Sequence, residues 1–247
     1  MKSSETEIGG QDRQFPTTAW GNVTRLSELD TGERDRVLRS LIDRYWKPVY
    51  CRIRYSWAKD NEDAKDLTQD FFLHVLLEGA LLEKFNSERG SFRAFLKAAL
   101  ANFMCNVQRD QGRQKRGGDV QVFRVGEIDP ELTQLVSDTR TSDPDEIFNL
   151  AWKSVVWARV LDLMADRLRA EGKEALFEVF RHYVLEPKDD SVSYQSVGDL
   201  LGLSTDTVKN HLTRARKEFL RAATDVLGEY VESPEDLAVE MKELFGA

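Results

Sequence analysis

Two cysteines, Cys51 and Cys105, are all this chain has, and they stand alone in separate stretches. That is too few for a disulfide framework or a cysteine-rich zinc site, and both read as buried reduced thiols. The three histidines, His74, His182 and His211, are scattered. With no HExxH pair, no GxSxG elbow and no phosphate-binding glycine loop, the sequence assembles no familiar catalytic centre. The expectation is a protein that is not an enzyme and uses neither cofactor nor metal. Six prolines and 15 glycines in 247 residues leave few forced breaks. No apolar run approaches the ~20 residues of a membrane span. Residues 1–14 are polar and lack the apolar stretch of a signal peptide. A cytoplasmic location without a membrane partner is expected. What is present is 41% hydrophobic and 32% charged residues, a composition that fits long amphipathic helices around more than one core.

The net charge is −8, which by itself does not suggest a nucleic-acid coat. Its distribution says more. Residues 58–83 hold two basic and seven acidic side chains, and residues 84–116 hold eight basic and two acidic. Residues 204–221 hold five basic and two acidic, and the stretch from Asp225 onward holds one basic and seven acidic. Basic islands between acidic stretches suit a chain that meets both DNA and a basic protein surface.

Periodicity predicts an all-α fold of two helical domains joined by an acidic linker. Residues 1–16 form a tail, and a first helix begins at Thr17 or Thr18, either of them a good N-cap. A second helix over 33–57 carries Val37, Leu41, Tyr45, Val49 and Ile53 at mostly helical spacing. Asn61 is expected to cap a third, with Ala64, Leu67, Phe71 and Val75 on one face. Ser91 caps a fourth, with Phe92, Phe95, Leu96, Ala99, Phe103 and Val107 inward. The first domain spans 17–116 and the linker 117–142. Asp143-Pro144-Asp145-Glu146 then opens a long helix: a capping Asp, Pro at the first position, acid in the first turn. Further helices over 173–184, 194–201 and 205–226 complete a second domain at 143–226. An acidic extension, 227–247, follows, with a short helix after Ser233.

The stretch 193–219 has the pattern of a helix-turn-helix. Gly198 is small where two helices cross, Gly202 permits a left-handed turn, Leu203 plugs the turn and Ser204 caps the second helix. Val208, Leu212, Ala215 and Phe219 recur at i, i+4, i+7 and i+11 and face inward. Thr205, Asp206, Thr207, Lys209, Asn210, Thr213, Arg214 and Lys217 are left outward, a polar and basic surface suited to the major groove and its flanking phosphates. An ordinary amphipathic hairpin with a solvated face is the plain alternative. His211 lies on the same helix, either solvated or against phosphate.

Asp63, Asp66 and Asp70 stand at i, i+3 and i+7, with Gln69 beside them. Such a carboxylate stripe pairs with Arg and Lys of a partner helix, unless it is a solvated face or a divalent-cation site. Beyond it come a polar loop with Asn86, Ser87 and Arg89 and a helix with Arg93 and Lys97 at i, i+4. Asn102, Asn106, Arg109 and Arg113 continue a polar stripe. A basic stripe of this kind can hold a nucleic-acid backbone; a solvated face is again the alternative. Phe92 and Phe95 fall on the apolar side and read as core.

These stretches resemble the sigma-70 family, in its extracytoplasmic-function group. Leu201-Gly202-Leu203-Ser204, Thr207-Val208-Lys209 and Leu212-Thr213-Arg214-Ala215-Arg216 are similar to its region four. The run 62–72, EDAKDLTQDFF, resembles the region-two helix that docks on the clamp helices of the polymerase largest subunit, and 86–96, NSERGSFRAFL, resembles the part that melts the minus-ten element. The resemblance implies promoter recognition and melting for core RNA polymerase. Its implied partners are that enzyme and promoter DNA, and it admits an anti-sigma factor. Phe15-Pro16-Thr17-Thr18-Ala19-Trp20 and Lys115-Arg116-Gly117-Gly118 are similar to a planctomycete-type subgroup. Three features depart from the family pattern. Leu168-Arg169-Ala170-Glu171-Gly172 stands where a Leu-Pro junction is usual, the loop before Tyr194 is long and acidic, and the tail adds a helix. Leu237, Met241 and Leu244 give that helix one apolar face. It either covers the basic face of the helix-turn-helix or packs locally. A helix-turn-helix regulator independent of the polymerase would account for the second half alone.

Overall fold

The computed structural model describes residues 30–77, 82–85, 90–111, 143–187, 192–229, 231 and 233–245. Every regular element among them is helical, and no strand occurs there. The expected tail, the first helix at Thr17 or Thr18, the linker 117–142 and both stretches similar to the planctomycete-type subgroup lie outside the described residues.

Helix α1, Thr31–Ser56, starts where the Asp30 carboxylate accepts a hydrogen bond from the Glu33 N–H at 2.9 Å, a cap worth about 1 kcal/mol. Its Leu41, Tyr45, Val49 and Ile53 stripe is buried. Helix α2, Asn61–Asp70, is capped by Asp60 and not by Asn61: the Asp60 carboxylate accepts from the Asp63 N–H at 2.8 Å. Asn61 Oδ1 instead accepts from the Tyr50 hydroxyl at 2.8 Å, tying α2 to α1. Beyond Asp70 the helix widens into a π-helical segment, Phe71–Leu77. Phe71 and the adjacent Phe72 are both in the core there.

Helix α3, Phe92–Gln111, has the Ser91 hydroxyl near the Ala94 N–H at 3.3 Å. Phe92, Leu96, Leu100 and Met104 are buried. Phe85, Phe92 and Phe95 form an aromatic cluster with centroids 5.3–5.9 Å apart. The two thiols differ, against the expectation that both are buried. Burial pushes the Cys51 thiol up to about 12, whereas Cys105 falls on the outer side of α3 and is exposed.

Helix α4, Pro144–Ala170, begins as its sequence predicts, with Asp143 accepting from the Asp145 N–H at 2.9 Å and Pro144 in the first turn. Eight residues from Ile147 to Leu168 make one buried stripe along it. Its end explains the missing Leu-Pro junction. Gly172 takes φ +65°, the Lys173 N–H reaches the Leu168 carbonyl at 2.8 Å and the Gly172 N–H reaches that of Arg169 at 3.0 Å. This is a glycine-closed helix stop. Helix α5, Glu174–Phe180, continues as a π-helical turn, Arg181–Leu185. Helices α6, Tyr194–Leu201, α7, Thr205–Gly228, and α8, Pro234–Phe245, follow.

The two halves share one core. Tyr45 of α1 stands 5.5 Å from Phe92 of α3 and 6.4 Å from Phe148 of α4. Phe219 of α7 lies 5.1 Å from Trp157 and 5.2 Å from Phe180. Phe245 of α8 sits 5.7 Å from both Trp157 and Phe219. Buried Arg44 of α1 pairs with Glu229, which also takes Arg159 of α4 at 2.9 Å. Among the described residues no helix is long and apolar enough to cross a membrane.

Candidate nucleic-acid interface

The hairpin of α6 and α7 is held by local chemistry. Ser193 and Ser196 cap α6 reciprocally. Gly202 takes φ +68°, where a side chain is strained. A Cβ on Gly198 would meet the Leu203 carbonyl oxygen at 2.6 Å, and the Leu203 N–H donates to the Gly198 carbonyl at 2.9 Å. Only glycine lets the turn close this tightly. Ser204 accepts from the Thr207 N–H at 3.2 Å to start α7.

Val208, Leu212, Ala215 and Phe219 point into the core. Thr205, Asp206, Lys209, Asn210, Thr213, Arg214 and Lys217 are exposed. Thr207 is half-buried, its hydroxyl 2.8 Å from that of Ser204. His211 is half-buried. Farther along α7, Arg167 pairs with Glu218 at 3.6 Å and Asp225 at 2.7 Å, so this end is anchored to α4. The α7 surface beyond the turn is thus a polar, basic face on a rigid base.

On α2, Asp63 and Asp66 are exposed, and Gln69 and Asp70 are half-buried. Burial pushes the Asp70 carboxyl up; the nearby His74 opposes this and the Asp66 charge adds to it. The outer two carboxylates therefore carry the accessible charge.

The basic helix divides in two. Asn102, Asn106 and Arg109 are exposed on the outer part of α3. Arg93 and Lys97 face the second half of the protein. Arg93 is 7% exposed. Its Nη2 lies 2.9 and 3.0 Å from the two Glu240 carboxylate oxygens, and its Nη1 donates to Glu243 at 3.0 Å. Its guanidinium carbon sits 4.1 Å from the Trp152 ring centroid. Lys97 Nζ lies 3.0 Å from Asp145 at the start of α4, and Asp145 also holds Arg52 at 2.9 Å. Asn86, Ser87, Arg89 and Arg113 lie outside the described residues.

Sequence reasoning did not find Glu240, Glu243, Trp152 or Asp145 as partners of the basic helix. The acidic tail and the acidic start of α4 were the available signal, but opposite charge names no target. Of the two places expected for the tail helix, the structure has local packing: Leu244 is buried, Leu237 and Met241 are partly buried, and the outward residues of α7 stay uncovered.

Residues 41–114 match the family model of sigma-70 region 2. Among curated proteins, the chain is similar to an ECF RNA polymerase sigma factor, SigE, of Mycolicibacterium smegmatis, with 25% identity over 74% of this chain. The match spans 59% of that relative's length. No solved structure matches.

Proposed function

We propose that this chain is a sigma factor of the extracytoplasmic-function group of the sigma-70 family, that it directs core RNA polymerase to promoters in the cytoplasm and that it catalyses nothing itself. In this reading residues 17–116 engage the polymerase and the minus-ten element, and residues 143–226 bind upstream duplex. Asp63, Asp66, Gln69 and Asp70 meet a basic helix of the polymerase. Asn86, Ser87, Arg89, Arg93, Lys97, Asn102, Asn106, Arg109 and Arg113 hold the melted strand. Thr205, Thr207, Lys209, Asn210, Thr213, Arg214 and Lys217 read the upstream element from the major groove.

The supporting observation is a combination within one chain. A stretch matching sigma-70 region 2 precedes a helix-turn-helix whose outward face is polar and basic, with Thr205, Lys209, Asn210, Thr213, Arg214 and Lys217 exposed. A regulator independent of the polymerase needs only the second part. Run-off transcription with purified core polymerase and a promoter library tests the reading. Specific initiation only when this protein is added supports it; specific duplex binding without initiation would replace it with the regulator.

A further inference from the structure

Arg93 is assigned to melted DNA in the proposed function, yet its guanidinium is taken and only 7% of the residue is exposed. Trp152 lies over it, and Glu240 and Glu243 take its N–H groups. Carboxylate and phosphate oxygens accept from the same guanidinium fork, so the two cannot occupy it together. We propose that α8 is an intramolecular latch: Glu240 and Glu243 hold Arg93 in place of a nucleic-acid phosphate, and α8 leaves before Arg93 meets DNA. The idea rests on the reading of Arg93 as a DNA contact.

Three features make the contact a latch and not a plain strut. α8 follows α7 after a short connection, so the carboxylates stand at high effective concentration and close the site when no competitor is present. Its hold on the body is narrow. Leu244 is buried, but Leu237, Met241 and Phe245 are only partly so, and Val239 is 62% exposed. A helix of 12 residues has little stability once undocked. Lys97 is clasped in the same sense by Asp145, whose side chain is itself half-exposed. Two of the proposed strand contacts are therefore tied by ion pairs to the half that carries the helix-turn-helix, while Asn102, Asn106 and Arg109 remain open.

The test uses the full chain and a fluorescein-labelled random single strand of about 12 nucleotides, within the site size of a strand-binding groove. Glu240→Gln with Glu243→Gln keeps the shape of α8 and removes both anions from Arg93. The latch predicts roughly tenfold tighter binding, the gain from freeing a charged donor, and loss of that gain when Arg93→Ala is added. Hydrogen exchange on the same samples should show residues 234–245 losing protection in the double variant. If they lose it without tighter binding, Arg93 is no strand contact, and both that assignment and the latch fall. If they keep it, α8 is permanent packing: the latch is overturned and Arg93 leaves the strand contacts, while the exposed Asn102, Asn106 and Arg109 keep theirs. The wild-type protein gives a second measurement that does not depend on the variant folding. Protection at 234–245 should drop when core polymerase and promoter DNA are added; undiminished protection in that complex overturns the latch.

Discussion

Arg93 and Glu240, 147 residues apart in the chain, share an ion pair in which one guanidinium nitrogen bonds both carboxylate oxygens. Both side chains are almost wholly withdrawn from water. Such a pair adds little net stability, because desolvation costs several kcal/mol per ion; removing one partner alone costs about 3–5 kcal/mol. Its effect is on specificity. It determines where α8 sits, and Glu243 gives the guanidinium a second anion.

That second anion makes the single variant Glu240→Gln different from the double one. Burial pushes the Glu240 carboxyl above its ordinary value of 4.5; Arg93 opposes this, and Glu243 and Asp236 add to it. A raised folded-state pKa means stability that is present below pH 4.5 and lost as pH rises through the folded value. Gln cannot ionise, while Glu243 keeps Arg93 paired. Glu240→Gln should therefore melt at or above wild type at pH 7–8, and the difference should shrink toward pH 4. A variant that melts well below wild type at pH 8 refutes this.

Arg214→Ala should weaken binding to the upstream promoter duplex by about 1–3 kcal/mol, with a smaller loss on random duplex. Arg214 is exposed on the face of α7 that the core leaves outward. Fluorescence anisotropy on the two duplexes separates the cases: equal losses would make it a phosphate contact, and no loss would remove it from the interface.

Asp63→Arg with Asp66→Arg should reduce binding to core polymerase by roughly tenfold or more, as reversed charges at a complementary surface do. Both side chains are exposed, so folding stability should stay within about 0.5 kcal/mol. Pull-down with core enzyme alongside circular dichroism checks both halves. Undiminished capture would end the docking role of this face.

Gly198→Ala should destabilise the protein by about 1–3 kcal/mol, lowering the melting temperature by several degrees. The added methyl has no space beside the Leu203 carbonyl, so the α6–α7 turn must open. Promoter binding should fall further than the melting temperature alone explains. Wild-type values on both measurements would show that the turn adapts freely.

The helices were legible because their signals are local. Asp143-Pro144, the Ser204 cap, Gly202 and the Val208, Leu212, Ala215 and Phe219 stripe each act within a turn or two, and the structure has the helix-turn-helix where the spacing predicts it. One small local error had a local cause: Asp60 outcompetes Asn61 as a cap. The outward residues of α7 could be named for the same reason, since a helix that buries one stripe must expose the other. What tertiary structure decided is the partnership between the halves. Nothing in helical periodicity says that Tyr45 meets Phe148, that Asp145 clasps Lys97, or that the acidic tail chooses Arg93 over the basic face of α7. Charge complementarity has no register along the chain. Only when α1 packs along α4 and Phe245 docks against Trp157 and Phe219 do Glu240 and Glu243 come within hydrogen-bond reach of a guanidinium already lying over Trp152.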